Sequence, residues 1–169
     1  IGELGHNDKE QTLVVVKNSR TILAEQFRII RSNLMQLLKR DRTPVILITS
    51  SFSGEGKSFA ATNLAASIAL TGKKVALLEF DLRKPKVLTG LGMTRGMGIT
   101  HFVVGKVPFE DLPMRVPEHD NLYVIGCGPT PRNPSEMLLE SKIKELFEHL
   151  RIHFDAVIID SAPVGLVSD

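Results

Sequence analysis

A chain of 169 residues, 43% hydrophobic and 24% charged, can bury the core of one ordinary domain and is not a disordered polymer. The net charge of +2, with Lys and Arg dispersed, leaves no footprint for nucleic acid, and no apolar run approaches the roughly 18 residues of a membrane span. A single cysteine, Cys127, excludes an internal disulfide framework and fits a reducing compartment.

In chain order, residues 1–20 are polar apart from "TLVVV" at 12–16, and read as a linker or arm holding one candidate short strand. Residues 21–40 read as a helix, because Leu23, Phe27, Ile30, Leu34, Leu37 and Leu38 recur at helical spacing and form one apolar stripe. After Pro44, "VILIT" (45–49) is a short apolar run of the kind a strand buried on both faces carries. A glycine-rich turn leads into "FAATNLAASIAL" (59–70), an Ala-rich helix closed by Gly72 and the Lys73–Lys74 pair. "VALLEF" (75–80) is a second strand, and residues 84–120, with several Gly and Pro, read as short helices and loops. "NLYVI" (121–125) is a third strand. A loop, "GPTPRNP", then precedes a helix over 135–150 that turns Leu138, Leu139, Ile143, Leu146, Phe147 and Leu150 inward. "AVIID" (156–160) is a fourth strand. Strands alternating with helices predict right-handed crossovers and a mostly parallel α/β sheet flanked by helices. The chain starts at Ile1 and stops at Asp169 just past an apolar segment, so residues 21–169 read as one domain that is incomplete at its C-terminus.

The turn "TSSFSGEGKSFA" (49–60) ends like a phosphate-binding loop, although Ser51 stands where the pattern G-x-x-x-x-G-K-[ST] has its first glycine. Gly54 and Gly56 suit a backbone that must approach oxygen closely and take positive φ. The N–H groups at the start of the following helix favour an anion. Ser53, Gly54, Glu55, Gly56, Lys57, Ser58 and Phe59 are the candidate nucleotide-binding residues, with Lys57 placed to reach β- and γ-phosphates and the Ser58 hydroxyl to ligate Mg²⁺. The bland alternative is a glycine-rich strand-to-helix turn that happens to contain Lys-Ser. Asp81 ends the second strand and Asp160 the fourth, and ligands of open parallel sheets sit beyond those strand ends. Glu79 lies two residues before Asp81 and so points to the same side. A salt bridge is the alternative for Glu79, and a helix N-cap for Asp160. Three phosphate-site features at three strand ends are far more specific than one.

Together these residues resemble the deviant Walker-motif ATPases, and within them the bacterial tyrosine kinases of capsule and exopolysaccharide synthesis. "SGEGKS" is similar to their Walker A motif, "LLEFDLRKP" to their Walker A′, and "VIIDSAP" to their Walker B. "AEQFRIIRSNL" (24–34) resembles their E-x-x-R-x-x-R-[ST]-N helix through Glu25, Arg28, Arg31, Ser32 and Asn33, and "GPTPRNPSEML" resembles a further stretch of the same kinases. The likeness covers about 20–169. Two departures stand out, and a third position argues against the partition and cell-division relatives. Glu79 replaces the first Asp of Walker A′, Ala162 replaces the first Pro of D-x-P-P, and Phe52 occupies the place of the signature lysine of partition and cell-division ATPases.

The resemblance implies a P-loop NTPase fold that transfers the γ-phosphoryl of Mg-ATP to tyrosine. Lys57, Asp81, Glu79 and Arg83 are then the catalytic candidates, and Ser58, Asp81 and Asp160 the metal candidates. Arg83 has a solvated turn as its alternative. Glu25, Arg28 and Arg31 step by three along their helix. Spacing alone allows an ordinary solvated face, whereas the resemblance implies a subunit interface that builds a ring of neighbouring copies. It further implies a C-terminal tyrosine tail absent from this chain, a membrane polysaccharide co-polymerase segment on the same or a separate chain, a tyrosine phosphatase, and a place at the inner face of the bacterial plasma membrane. The one tyrosine here, Tyr123, lies inside the third strand and reads as core. The five histidines are scattered, so no zinc site is expected. Two alternatives remain at this level: a partition-type ATPase switch, and a module that binds nucleotide without turnover.

Overall fold

The computed structural model describes residues 13–38, 42–131, 133, 136–137 and 141–164. Five strands form one sheet in the order β1-β5-β2-β4-β3. They are β1 (Val45–Ile48), β2 (Val75–Phe80), β3 (Met114–Arg115), β4 (Leu122–Ile125) and β5 (Ala156–Ser161). The β1–β5, β5–β2 and β2–β4 pairs are parallel, as the alternation of strands and helices requires. β3 adds an antiparallel edge through Met114↔Val124 and Arg115↔Tyr123. This two-residue strand is too short to show any periodicity in sequence.

The helices are α1 (Ile22–Leu37), α2 (Lys57–Ala69), the single turns α3 (Val87–Gly90) and α4 (Ile99–Val103), and α5 (Ser141–His153), with a 3₁₀ turn at Phe109–Asp111. Residues 136 and 137 are helical too, while Leu138 and Leu139 of the predicted inner face lie outside the described residues. β2 shows how the core divides. Val75 and Leu77 pack on the α1–α2 side with Phe27, Leu64 and Ile68, whereas Ala76 and Leu78 face Phe102, Leu146 and Leu150. A strand buried on both faces reads as a continuous apolar run, which is why 75–80 is legible as a strand.

Three expectations change. β1 is not a strand buried on both faces: among the described residues it is an edge strand, and Leu47 on it is 59% exposed. Residues 13–16 form no strand. Instead the backbone N–H groups of Val14 and Val15 donate to the Asn63 Oδ1 on α2, at 2.8 and 3.0 Å, and Val15 is buried. The side-chain amide of Asn63 thus does what a neighbouring strand would have done. The predicted stripe on α1 is also only partly inward. Phe27 and Ala24 are buried and Leu34 packs against the core, but Leu23, Ile30 and Leu37 are exposed along with Ile22 and Ile29. Thr21 caps the helix by accepting from the Ala24 N–H, and α1 docks on α2 through polar bonds as well. Arg31 donates to the Ser67 carbonyl at 2.9 Å, and the Ser67 hydroxyl donates to the Phe27 carbonyl at 3.4 Å.

Candidate active site

The loop between β1 and α2 is built without its first glycine because it does not need one there. Gly54 and Gly56 are at φ +92° and +83°, while Ser51 is not among the positive-φ residues. Only the two glycines occupy the left-handed region that other residues avoid. The loop is anchored at its root, not by its own sequence. Thr49 Oγ1 donates to the Ala162 carbonyl at 3.1 Å, the Val164 N–H donates to the Ser50 carbonyl at 2.9 Å, and the Ser161 hydroxyl donates to the Ile48 carbonyl at 3.1 Å. The exit of β1 is thereby stitched to the exit of β5.

α2 begins at Lys57, two residues earlier than its apolar pattern predicts, with Gly56 as its N-cap. Gly56 has no side chain to cap the first turn, so those N–H groups are left for a ligand. A cavity of about 630 Å³ opens over this turn. Ser53, Gly54, Gly56, Lys57, Ser58 and Phe59 line one side of it, and Lys84, Pro85, Lys86, Thr89 and Gly90 the other, with Asp81 between them. Of the predicted loop residues, Glu55 does not line the cavity, because its Oε2 accepts from the Phe52 N–H at 3.0 Å. Phe59 lines it with a ring that packs against Phe27, centroids 6.0 Å apart. Arg83 is exposed and stands off the lining, whereas Lys86, Thr89 and Gly90, which the motif reading missed, belong to it. The basic run "LRKPK" after Asp81 is the signal that could have found that wall.

The three buried carboxylates are used differently. Asp81 Oδ2 lies 3.2 Å from the Lys57 Nζ, and its Oδ1 accepts from the Lys84 N–H at 3.0 Å. Glu79 accepts from the Val87 N–H at 2.8 Å and the Leu88 N–H at 3.3 Å on Oε1, and from the Cys127 N–H at 3.4 Å on Oε2. Asp160, the register partner of Glu79, is fully buried with no hydrogen-bond partner for either oxygen. Burial pushes its pKa up to about 6, and the nearby Asp81 and Glu79 add to that. The Ser58 hydroxyl and the Lys57 ammonium pull the other way, the hydroxyl near enough to be felt though short of hydrogen-bond geometry. An orphaned carboxylate beside a serine hydroxyl is the donor set a hard cation fits. Among the described residues no group of three His, Cys, Asp or Glu could hold a metal alone. That too suits Mg²⁺, which takes one or two protein oxygens and fills the rest with water and phosphate. Burial, with Glu79 next, also pushes the Cys127 thiol up to about 11, so this cysteine is no nucleophile.

The glutamate and arginines of α1 are occupied within the chain. Arg28 pairs with Glu25 and donates to the Ser19 carbonyl, and Arg31 reaches across to Ser67.

Residues 46–162 match the model of the CobQ/CobB/MinD/ParA nucleotide-binding domain. The tyrosine-protein kinase YwqD of Bacillus subtilis (strain 168) is 34% identical over 160 residues, covering 95% of this chain and 67% of that protein. The tyrosine-protein kinase ptk of Acinetobacter johnsonii is 35% identical over 161 residues, but there the chain spans only 22% of the relative's length. The crystal structure of the chimerical protein CapA2B2 superposes with a TM-score of 0.86 at 32% identity, covering 93% of this chain and 69% of that one. No described helix is long and apolar enough to cross a membrane. On these matches the chain belongs to the bacterial tyrosine-protein kinases, a branch of the CobQ/CobB/MinD/ParA nucleotide-binding domains.

Proposed function

We propose that this chain transfers the γ-phosphoryl group of ATP to the hydroxyl of tyrosine, with Mg²⁺ as cofactor. The observation that carries the reading is the buried Lys57–Asp81 pair beside the orphaned Asp160, at the mouth of an uncapped helix. The loop amides and Lys57 hold the β- and γ-phosphates. Ser58 and Asp160 hold Mg²⁺, which when bound neutralises charge on those phosphates. When phosphate draws the Lys57 ammonium away, Asp81 loses its partner and becomes free to accept the phenolic proton. A tyrosine hydroxyl has a pKa near ~10, so a carboxylate at that point is useful. The oxygen of tyrosine then bonds to the γ-phosphorus as the bond to ADP breaks. Lys84 and Lys86 border the same cavity and add positive charge on the acceptor side.

In this reading the protein controls capsule or exopolysaccharide synthesis from the inner face of the plasma membrane. A polysaccharide co-polymerase segment attaches it there, and a tyrosine phosphatase reverses its action. The two sizes of relative, of which this chain spans 67% and 22%, allow that segment to be on a separate chain or the same one. Copies assemble through α1, where Ile22 is 83% exposed and Leu23, Ile29, Ile30 and Leu37 are bare beside Glu25. The test is incubation of the protein with labelled ATP and a tyrosine-rich acceptor tail. Phosphotyrosine that vanishes in Lys57→Met supports the reading. Phosphate release without phosphotyrosine points to a partition-type switch, and binding without turnover to a nucleotide-binding module.

A further inference from the structure

Glu79, next to last in β2, is fully buried. A buried carboxylate must be paired, metal-bound or hydrogen-bonded. Here it is hydrogen-bonded, to three backbone amides from two separate places. Val87 and Leu88 open α3, the turn that follows the Lys84–Lys86 wall of the cavity. Cys127 follows β4. The carboxylate thus spans the gap between the cavity wall and the neighbouring strand end. A second contact fixes the same joint. Leu88 packs on Gly126 so closely that a Cβ at 126 would come within 2.7 Å of its Cδ1. Leu88 is buried, so it could yield only by moving.

We propose that Glu79 is a positioning residue: it clamps α3 to the end of β4, holds the Lys84–Gly90 wall at a fixed distance from Asp81, and takes no part in metal binding or proton transfer. The extra methylene relative to aspartate is what lets one carboxylate reach both sides. Asp160, in register with it and without partners, is left as the carboxylate available to a cation.

Two variants test this, read by residue-resolved amide exchange on the nucleotide-free protein and by Mg²⁺-dependent binding of a fluorescent ATP analogue. A carboxamide cannot accept at both ends. Glu79→Gln should therefore speed exchange at Val87, Leu88 or Cys127 at least tenfold, while the Mg²⁺ half-saturation stays within twofold. Gly126→Ala leaves the carboxylate intact but pushes Leu88 away, so it should loosen the Val87 and Leu88 amides in the same way. In both, the KM for a tyrosine peptide should rise several-fold with nucleotide affinity unchanged. Unchanged protection at all three amides in Glu79→Gln, or a tenfold shift in its Mg²⁺ half-saturation, would overturn the assignment. The proposal builds on the kinase reading of the cavity, but amide exchange needs no turnover, so a protein that transfers no phosphate would sink that reading and leave this one to be judged separately.

Discussion

The Lys57 ammonium and the Asp81 carboxylate, 24 positions apart in the chain, meet at 3.2 Å in the buried floor of the cavity. A salt bridge with both partners buried is costly to break from one side, because the survivor is left charged and unpaired. Lys57→Met should therefore abolish phosphotyrosine formation and also destabilise the folded chain by about 3 kcal/mol. Lys57→Met combined with Asp81→Asn should recover much of that stability and none of the activity. Thermal unfolding of the single and double variants checks this, and equal losses in both would mean that the pair is not coupled.

Asp160 makes the opposite prediction. Its carboxyl titrates near about 6 in the folded protein, against 3.8 ordinarily. The folded state thus holds a proton that the unfolded state has released, and stability falls as pH rises from about 4 to 6. Above that window the full penalty remains, up to about 3 kcal/mol. Asp160→Asn should raise the Tm of the metal-free protein at pH 8 and leave it nearly unchanged below pH 4. The same substitution should remove the stabilisation that Mg²⁺ with nucleotide confers. A variant that is no more stable than the parent at pH 8 would mean the buried charge is already compensated.

Asn63 holds residues 13–16 against α2 by two hydrogen bonds and no apolar substitute can replace them. Asn63→Leu leaves the Val14 and Val15 amides without acceptors. Each such loss costs roughly 1–3 kcal/mol when the group stays buried, so the segment should detach instead. Limited proteolysis near residues 13–19 should then quicken by tenfold or more. A digestion rate equal to the parent's would refute the anchoring role.

α1 separates two effects that the charged stripe confounds. Arg31 is bound to Ser67 in the same chain, so Arg31→Ala should lower stability by about 1 kcal/mol as well as disturb any assembly. Ile29 and Ile30 are exposed and carry no such duty, and Ile29→Glu with Ile30→Glu should reduce particle size in light scattering at unchanged Tm. If size holds while the parent assembles, α1 is not the interface.

The β-α alternation, the parallel sheet and the nucleotide loop were legible because each rests on local chemistry. Continuous apolar runs mark β2 and β5, and two glycines mark the only left-handed turns of the loop. What the sequence concealed was always a partner. "TLVVV" has the composition of a strand, yet its acceptor is a side-chain amide 48 residues away from Val15. The stripe on α1 has helical spacing, but spacing cannot say that only Ala24 and Phe27 are buried, that Leu34 is half-buried, and that Leu23, Ile30 and Leu37 are left bare. Glu79 and Asp81 point to the same side by strand periodicity, and yet one meets Lys57 while the other meets the backbone of α3. Charge type was visible in the sequence, and the group facing each charge was not.

One helix carries Asn63, which anchors residues 13–16, Ser67, which bonds α1, and Lys57, the residue proposed to hold phosphate. At ~1.5 Å per residue, Asn63 and Ser67 lie only about 9 and 15 Å along α2 from Lys57. A genetic screen scored on catalysis would therefore return positions 63 and 67 beside 57 and 58, though neither lines the cavity. Such hits would be misread as active-site residues unless nucleotide affinity and arm release were measured on the same variants.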